Sequence, residues 1–257
     1  MQTTDPTEAA TQIQAWLSES KVACAFTGAG ISTESGIPDF RSPGGVWSKY
    51  RTVYYDDFCR SAEARHEYWR QKSEAHRDFA NAVPNIAHET LAKLEAYGRL
   101  KGIITQNIDG LHREAGSHKV LELHGTARDV ACLDCDWRDQ VDHWVSVFQE
   151  TNQVPECPMC TGRLKHATIS FGQSLPANVL QEAADWSKAV DLFLALGSSL
   201  VVEPAASLPR IAASHGARLV IINRDPTPLD NIADLTVQAG LGDVFAQLQL
   251  PHDNASP

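Results

Sequence analysis

The sequence predicts an α/β fold, a parallel and doubly wound sheet with one small module inserted into it. Five short apolar runs alternate with segments of helical spacing, which is the pattern of buried parallel strands and their crossover helices. A glycine-rich turn follows the first apolar run, where α/β proteins often bind phosphate groups. Two Cys-x-x-Cys pairs lie in the one stretch that interrupts the alternation.

Each element is predicted from a local pattern. Short apolar runs predict five buried strands, over residues 21–26, 100–107, 192–199, 217–223 and 234–240. Apolar and small residues at helical spacing predict a helix over residues 7–20. The charged residues 57–80 are compatible with a helix, and residues 85–97 are predicted as a helix that ends at Gly98. Further helical segments are predicted between the later strands and after the last one, over residues 176–187, 204–214 and 242–250. The two ends, residues 1–7 and 253–257, are predicted to be disordered tails.

The composition argues against several classes of protein. The 257-residue chain has a formal net charge of −10, whereas a nucleic-acid partner requires a basic face. No stretch approaches the roughly 20 apolar residues of a transmembrane helix, so no membrane partner is expected. The first residues have neither the basic start nor the apolar run of a secretory signal, and we therefore expect a cytoplasmic location. Nothing in the sequence sets the oligomeric state.

Four of the six cysteines form two pairs, Cys132 with Cys135 and Cys157 with Cys160. Residues 136–156 separate the pairs, slightly more than the roughly 15–20 residues usual for a zinc site of this kind. Four thiolates form a soft tetrahedral set that suits zinc and leaves no open position for water, so the ion is predicted to be structural. Redox-active or free thiols are the alternative.

The glycine-rich turn begins like a dinucleotide-binding fingerprint but does not continue as one. Gly28-Ala29-Gly30 matches the start of G-x-G-x-x-G, whereas Thr33 stands at the third glycine position. The PDFRSPGGVW that comes soon after favours neither the helix nor the second strand of a hydride-transfer domain. An irregular loop with the acid Asp39, an aromatic residue and an arginine is suited instead to enclosing the far end of the cofactor.

Several motifs occur in one fixed order along the chain. They are GAGISTESGIPDFR at 28–41, TQNIDGLH at 105–112, LELHGT at 121–126, the two cysteine pairs, GSSLVVEPAASLP at 197–209, and IIN before Arg224. In this order they resemble the sirtuins, the NAD-dependent protein-lysine deacylases, and the length resembles that of a single-domain, bacterial-type member. The resemblance covers about residues 12–250. It implies an enzyme that consumes NAD as a co-substrate, acts on an acyl-lysine protein or peptide, and releases nicotinamide and an O-acyl-ADP-ribose.

The resemblance also implies two domains with the active site in the cleft between them. A Rossmann-like, NAD-binding large domain would comprise residues 8–41, 85–126 and 168–250. A small domain would comprise a helical part, residues 42–84, and a zinc-binding module, residues 127–167, with one structural Zn²⁺.

The site residues follow from the resemblance position by position. His124 is implied as the general base, and Asn107 and Asp109 as catalytic residues that hold the nicotinamide and its ribose. The implied NAD contacts are Gly28, Ala29, Gly30, Asp39, Phe40, Arg41, Trp47, Gln106, Asn107, Ile108, Asp109, Gly197, Ser198, Ser199, Asn223, Arg224, Asp225 and Leu241. The implied metal ligands are Cys132, Cys135, Cys157 and Cys160, and the implied substrate contacts are Ile169, Phe171 and Gly172.

The chemistry of these residue types fits the implied roles. In the family the acyl oxygen attacks C1′ of the nicotinamide ribose, nicotinamide leaves, and a ribose hydroxyl must then lose its proton. An imidazole titrates near neutrality and can accept that proton, which is the role implied for His124. A loop around Phe40 is suited to excluding water, which would hydrolyse NAD. His112 is the rival histidine and is interpreted as a packing residue or a support for the site.

Three other functions are open on the same residues. Mono-ADP-ribosyl transfer to protein could use the same His124 and loop. A module that binds NAD or ADP-ribose without turnover is disfavoured because Asn107, Asp109 and His124 are all in place. An oxidoreductase is disfavoured by the broken fingerprint.

Two pairs of implied contacts have plainer interpretations, and two stretches depart from the family pattern. Asp39 and Arg41 could form a surface ion pair, and Ser198 and Ser199 could cap the helix after them.

Many sirtuins carry Val-x-Phe-Gly-Glu after the zinc module, where the substrate pairs as an added strand, but here Gln173 replaces the acid. Members that prefer acidic acyl groups show Tyr-x-x-Arg, whereas this chain has YWRQ at 68–71, so no desuccinylase is predicted.

Overall fold

A computed structural model of the chain describes residues 1–39 and 51–249. Three implied NAD contacts, Phe40, Arg41 and Trp47, therefore lie outside the described residues, and so does the predicted tail 253–257. The alternative ion pair between Asp39 and Arg41 falls outside them for the same reason.

The described part of the chain forms ten strands, nine α-helices and two 3₁₀ segments, Ala29–Ser35 and Asp230–Ile232. The strands are β1 (Gln2–Thr3), β2 (Ala23–Thr27), β3 (Leu100–Thr105), β4 (Val120–Glu122), β5 (Gly125–Cys132), β6 (Arg138–Gln140), β7 (Leu164–Thr168), β8 (Leu192–Leu196), β9 (Arg218–Ile222) and β10 (Leu235–Val237). The α-helices are α1 (Pro6–Glu19), α2 (Tyr55–Arg60), α3 (Ala62–Asn81), α4 (Ile86–Ala96), α5 (Leu111–Glu114), α6 (Val141–Thr151), α7 (Ala177–Ala189), α8 (Ser207–Ser214) and α9 (Leu241–Phe245). Among these described residues, no helix combines the length and the apolar character needed to cross a membrane.

Seven strands form one parallel sheet in the order β1-β10-β9-β8-β2-β3-β4. The predicted parallel, doubly wound sheet is confirmed, and all five predicted strands are part of it. From β2 the chain builds outward through β3 to β4, and from β8 it builds outward in the other direction through β9 to β10. The two directions meet between β2 and β8, and sheets of this kind bind ligands at the carboxyl ends of the strands at such a switch point.

Apolar layers cover both faces of the central strand β2. Ala23 and Ala25 lie in one buried cluster, to which α1 and α4 contribute, whereas Cys24 and Phe26 lie in a second cluster with residues of α7 and α8. All five residues of β2 are buried. Burial on both faces explains why the strand has a continuous apolar run instead of an alternating pattern.

The predicted disordered tail at the N-terminus is wrong. Strand β1 pairs in parallel with Thr236 and Val237 of β10. The amino group of Met1 also donates to the carbonyl oxygen of Asp234 at 2.8 Å. This edge pairing depends on backbone hydrogen bonds, which leave no hydrophobic period in a two-residue strand.

The predicted helix over residues 57–80 is two helices, α2 and α3. Ser61 between them has an extended backbone, and its Oγ accepts a hydrogen bond from the Ala64 amide at 3.1 Å. A serine N-cap satisfies one of the free amides at the start of a helix, so α3 begins afresh here. The segment was predicted as one helix from its charged, helix-compatible composition, and a composition of this kind does not mark an internal cap.

The stretch that interrupts the alternation forms an antiparallel sheet in the order β6-β5-β7. Its core also contains residues of α2, α3 and α6, among them Phe58, Trp69 and Phe148. The Trp69 indole N–H donates to the Leu164 carbonyl oxygen at 3.0 Å and ties α3 to β7. This sheet therefore packs with the helical residues that precede it, and the domain bounds given above stay a prediction.

Candidate active site

The loops after β2 and β8 pack so closely that three positions exclude a side chain. A Cβ on Gly28 would lie 2.7 Å from the Ser198 Cβ, and a Cβ on Gly30 would lie 2.8 Å from the Gly197 Cα. Gly197 has a φ of +61°, and a Cβ there would lie 2.5 Å from the Ile31 nitrogen. The Gly30 amide donates to the Gly197 carbonyl oxygen at 2.8 Å. The predicted glycine turn lies at the switch point, and contact with the second loop requires its glycines.

The glycine turn continues as a short 3₁₀ helix, Ala29–Ser35, which ends at Gly36 with left-handed backbone. The Asn85 side-chain amide donates to the Ile31 carbonyl oxygen at 2.8 Å and to Ser35 Oγ at 2.9 Å, which ties this segment to the start of α4. A dehydrogenase fingerprint would instead open a long helix. The departure predicted from Thr33 is therefore confirmed in the backbone.

Ser198, in the loop after β8, contacts the residue that follows β3. Its Oγ donates to Gln106 Oε1 at 2.7 Å and accepts a hydrogen bond from the Leu200 amide at 3.3 Å. The alternative in which Ser198 and Ser199 cap the following helix is wrong, because α8 begins at Ser207 and has Ala206 as its N-cap. Ser198 instead joins two loops across the switch point.

Ser32 holds the two polar side chains that follow β3. Asn107 Nδ2 donates to Ser32 Oγ and to the Gly28 carbonyl oxygen, each at 3.1 Å. Ser32 Oγ donates to Asp109 Oδ2 at 2.7 Å, and the Leu111 amide donates to Asp109 Oδ1 at 2.9 Å. All three side chains are buried. The structure thus brings Asn107 and Asp109 together, and it adds Ser32, which lies within the motif at residues 28–41 but was not predicted as a site residue.

His124 lies just beyond β4, and its ring is held in one orientation. Its Nδ1 lies 2.9 Å from the Gln106 carbonyl oxygen. Because a carbonyl oxygen only accepts, Nδ1 carries the proton and Nε2 keeps its lone pair. Burial lowers the pKa of His124, and the hydrogen bond to the Gln106 carbonyl opposes part of that shift. A neutral imidazole with an unprotonated Nε2 can act as a base at neutral pH.

His112 supports this network from the side of the core. Its Nε2 lies 2.8 Å from Thr27 Oγ1, which donates to Thr105 Oγ1 at 2.8 Å, and Thr105 Oγ1 accepts a hydrogen bond from the Asn107 amide at 3.0 Å. The ring of His88 lies 4.8 Å from that of His112, and both side chains are buried. Burial lowers the pKa of both, to about 4 for His88. The interpretation of His112 as a support agrees with these contacts.

The remaining implied NAD contacts differ in their solvent exposure. Asn223 follows β9, is half-buried, and donates from Nδ2 to the Asp225 carbonyl oxygen at 2.8 Å. Arg224 and Asp225 are exposed, whereas Leu241 is buried in the cluster beside α1 and α4. In the described part of the chain, no hydrogen bond joins Arg224 to the network around Asp109. Four further implied contacts are half-buried: Ala29, Asp39, Ile108 and Ser199.

The four paired cysteines converge in space. Their Sγ atoms all lie within 4.8 Å of one another, with Cys132 to Cys160 at 3.6 Å and Cys135 to Cys157 at 3.7 Å. These distances exceed the roughly 2.05 Å of a disulfide bond. They are close to the roughly 3.8 Å between sulfurs in a tetrahedron with Zn–S distances of about 2.3 Å. The shortest contacts run between the two pairs, so one four-thiolate zinc site fits and two redox pairs do not.

The implied substrate contacts begin where β7 ends. The Ile169 amide donates to the His124 carbonyl oxygen at 2.8 Å, and the Phe171 carbonyl oxygen accepts a hydrogen bond from the Tyr55 amide at 2.9 Å. The Phe171 side chain is 45% exposed, and Gly172 is exposed as well. The segment therefore starts at the predicted base and ends at the surface.

Both departures from the family pattern have a structural counterpart. Gln173 Oε1 accepts a hydrogen bond from the Ser170 amide at 3.2 Å, so the residue that replaces the acid closes a local turn. Arg70, one residue before the position of the missing arginine, is paired with Glu67 at 2.7 Å and Glu74 at 2.6 Å. Its guanidinium is thus already engaged by two carboxylates on its own helix.

Comparisons with known proteins point in one direction. A sequence profile of the Sir2 family matches residues 28–204, which include the glycine turn, His124 and the four cysteines. An NAD-dependent protein deacetylase of Rhodopseudomonas palustris is 47% identical over 222 residues, which cover 86% of this chain and 88% of that protein. NAD-dependent protein deacetylase 1 of Bradyrhizobium diazoefficiens is 48% identical over 231 residues, which cover 89% and 91%.

Solved structures of Sir2 proteins share the fold. A Sir2 complex with a p53 peptide and NAD⁺ has a TM-score of 0.84 at 39% identity and covers 92% of this chain and 95% of its own. A Sir2 histidine-to-alanine variant with deacetylated p53 peptide and 3′-O-acetyl ADP ribose has the same TM-score and identity and covers 92% and 96%. Because the family profile spans more than half of the chain and the relatives match over most of its length, this chain belongs to the Sir2 family, the sirtuins.

Proposed function

We propose that this chain is an NAD-dependent protein-lysine deacylase. It transfers the acyl group of an acyl-lysine to the ADP-ribose part of NAD and releases nicotinamide and an O-acyl-ADP-ribose. One observation carries the proposal: His124, with a fixed tautomer and a lowered pKa, follows β4, and Asn107 and Asp109 follow the neighbouring strand β3. The relatives are named NAD-dependent protein deacetylases, and the solved relatives hold NAD⁺ or an acetyl ADP ribose with a p53 peptide.

His124 acts as the general base. A ribose hydroxyl is too weak an acid to attack the acyl carbon unaided, and Nε2 takes its proton because Nδ1 already carries one. The imidazolium that forms is stabilised by the hydrogen bond from Nδ1 to the Gln106 carbonyl oxygen. Proton transfer to a positioned base contributes about 10²–10⁴ in rate.

Asn107 and Asp109 hold the nicotinamide and its ribose, and Ser32 fixes both side chains. Protein contacts alone determine their positions, so little reorganisation accompanies binding. Gly28 and Gly30 leave bare main chain at the switch point, where a pyrophosphate approaches the backbone most closely.

The segment from Ile169 to Gly172 takes the acyl-lysine peptide as an added strand. Main-chain hydrogen bonds supply affinity in this mode and demand little of the peptide sequence. The exposed Phe171 and Gly172 form the outer end of the segment, and Ile169 forms the inner end beside His124. Cys132, Cys135, Cys157 and Cys160 hold one structural Zn²⁺ in the sheet from which the segment emerges.

Mass spectrometry tests this proposal. The protein is incubated with NAD and lysine peptides that carry acyl chains of several lengths. Nicotinamide, free lysine and an O-acyl-ADP-ribose are expected with at least one peptide. Absence of nicotinamide with every peptide overturns the proposal, and ADP-ribose attached to protein indicates mono-ADP-ribosyl transfer instead.

A cytoplasmic location is part of the same proposal. It is supported by the cysteine cluster, whose free thiols would be at risk of disulfide formation in an oxidising compartment. Cell fractionation with immunoblotting tests it, and recovery of the protein outside the cytoplasmic fraction would contradict it.

A further inference from the structure

A buried lysine lies beside the predicted substrate strand and has no role in the mechanism above. Lys165, in β7, is 1% exposed, and it forms no ion pair with any described carboxylate. Burial lowers its pKa to about 7, and the nearby Lys72 adds to the shift. Burying an amine without a carboxylate partner is costly, so the amine of Lys165 requires another hydrogen-bond partner.

The partners of the Lys165 amine are backbone carbonyl groups. Lys165 Nζ donates to the carbonyl oxygen of Thr168 and, at 3.4 Å, to that of His166. A lysine amine donates hydrogen bonds in either protonation state, so the contact does not depend on the charge. The side chain thus runs along its own strand and satisfies a carbonyl three residues further on.

The register of the small sheet explains why Thr168 needs this donor. The Ile169 amide donates to the His124 carbonyl oxygen, so Gly125 and Thr168 face each other as a non-hydrogen-bonded pair. In such a pair the carbonyl group points away from the partner strand. Strand β5 therefore offers Thr168 no donor, and a buried carbonyl without one is costly.

One peptide unit links Lys165 to the predicted base. The Thr168 carbonyl and the Ile169 amide belong to the same rigid plane. Lys165 holds the oxygen of that plane, and the His124 carbonyl accepts from its N–H at 2.8 Å. Hydrogen bonds on both ends of one peptide group polarise and strengthen each other.

Tyr68 supports the same residue through its side chain. Its hydroxyl lies 3.3 Å from Thr168 Oγ1, and Lys165 Nζ lies 5.3 Å from the centre of its ring. Lys72 Nζ lies over the same ring at 5.7 Å, but in the described structure it has no hydrogen bond to Thr168. Lys72 is therefore a matched control, because it shares the ring and lacks the peptide contact.

We propose that Lys165, together with Tyr68, is a positioning residue that fixes the peptide unit between Thr168 and Ile169 and, through it, the backbone of His124. The inference rests on the proposed function, in which His124 is the general base. Nicotinamide leaves before His124 takes its proton. Loss of the contact therefore slows acyl transfer while exchange of labelled nicotinamide into NAD, which reverses the earlier step, stays near the wild-type rate.

Kinetics of three variants test the proposal. Lys165→Met should lower kcat for deacylation about tenfold or more, while KM for NAD and nicotinamide exchange change less than about twofold. Lys165→Arg, which keeps a donor, should recover most of kcat. Lys72→Met should stay within about twofold of wild type. A folded, zinc-containing Lys165→Met variant with wild-type kcat overturns the proposal, and so does an equal loss in Lys72→Met.

Amide hydrogen exchange provides a readout that needs no activity. The Ile169 amide should exchange about tenfold faster in Lys165→Met and at the wild-type rate in Lys72→Met. A wild-type protein that never releases nicotinamide would defeat the proposed function, and this exchange would still test Lys165. If Lys165→Met does not fold, the kcat of Tyr68→Phe tests the proposal instead, because this variant removes only the contact to Thr168 Oγ1. A kcat about two- to fivefold lower supports the proposal, and an unchanged kcat overturns it.

Discussion

At the carboxyl edge of the large sheet, polar side chains hydrogen-bond to one another, whereas in the small sheet four thiols converge on one point. Ser32 hydrogen-bonds to both Asn107, at 3.1 Å, and Asp109, at 2.7 Å. The cysteine Sγ atoms lie within 4.8 Å of one another, and thiolates at this distance repel. The hydrogen-bonded site therefore forms through folding alone, whereas the cysteine site depends on a cation to neutralise its thiolates.

Loss of a zinc ligand should have the largest effect. Structural zinc contributes on the order of 10–16 kcal/mol to folding, so Cys157→Ser should lose the metal and unfold the β6-β5-β7 sheet. Metal analysis and thermal unfolding measure this. Cys59→Ser is the control, because Cys59 lies outside the cluster and its replacement should leave one zinc per chain. A metal-free Cys157→Ser protein with wild-type thermal unfolding would contradict the dependence on a cation.

Removal of the base should abolish activity and leave the fold intact. His124→Ala should lower kcat by about 10²–10⁴, because the ribose hydroxyl loses its proton acceptor. Unfolding in urea should be nearly unchanged, since the ring makes one hydrogen bond. The control is His118→Ala, an exposed histidine whose loss should leave kcat unchanged. A His124→Ala variant with substantial kcat would assign the base to another residue.

Acid should weaken the large sheet through the buried histidine pair. Below a pH of about 6.5 the unfolded chain binds protons that His88 and His112 do not bind in the fold, so the free energy of unfolding falls as pH drops. With a folded pKa of about 4, His88 alone contributes on the order of 3 kcal/mol to this loss.

Urea unfolding between pH 7.5 and 4.5 measures this dependence. His88→Gln should flatten it, since glutamine can accept the same N-cap hydrogen bond at the start of α4 without titrating. His118→Ala should leave it unchanged. The account fails here if wild-type stability is the same at both ends of the range.

The smallest effect is expected at the contact between the loop after β2 and the loop after β8. Gly197→Ala should destabilise the protein by about 1–3 kcal/mol and weaken NAD binding, because the backbone is left-handed and the new Cβ meets Ile31. Gly216 also has a positive φ, but a Cβ there would meet no neighbouring atom. Gly216→Ala should therefore lower the free energy of unfolding by only about 1 kcal/mol. Calorimetric titration with NAD separates them, and equal affinities would contradict the proposed place of the phosphates.

The sequence predicted the features that are local. The strand β2 was visible because burial on both faces leaves an apolar run, and the zinc site was visible because both pairs of ligands are close in sequence. The resemblance supplied the roles of Asn107, Asp109 and His124. Ser32 and Lys165 could not be found in this way, since their contacts arise from loop packing and from strand register.

The central claim is that NAD is consumed while His124 deprotonates the attacking hydroxyl. Single-turnover mass spectrometry with an acetyl-lysine peptide tests it most directly, on wild type and His124→Ala side by side. The account predicts equal amounts of nicotinamide, free lysine peptide and O-acetyl-ADP-ribose from wild type, and almost no deacetylated peptide from the variant. Nicotinamide with free ADP-ribose and intact acetyl-lysine, or deacetylation without nicotinamide, would contradict it.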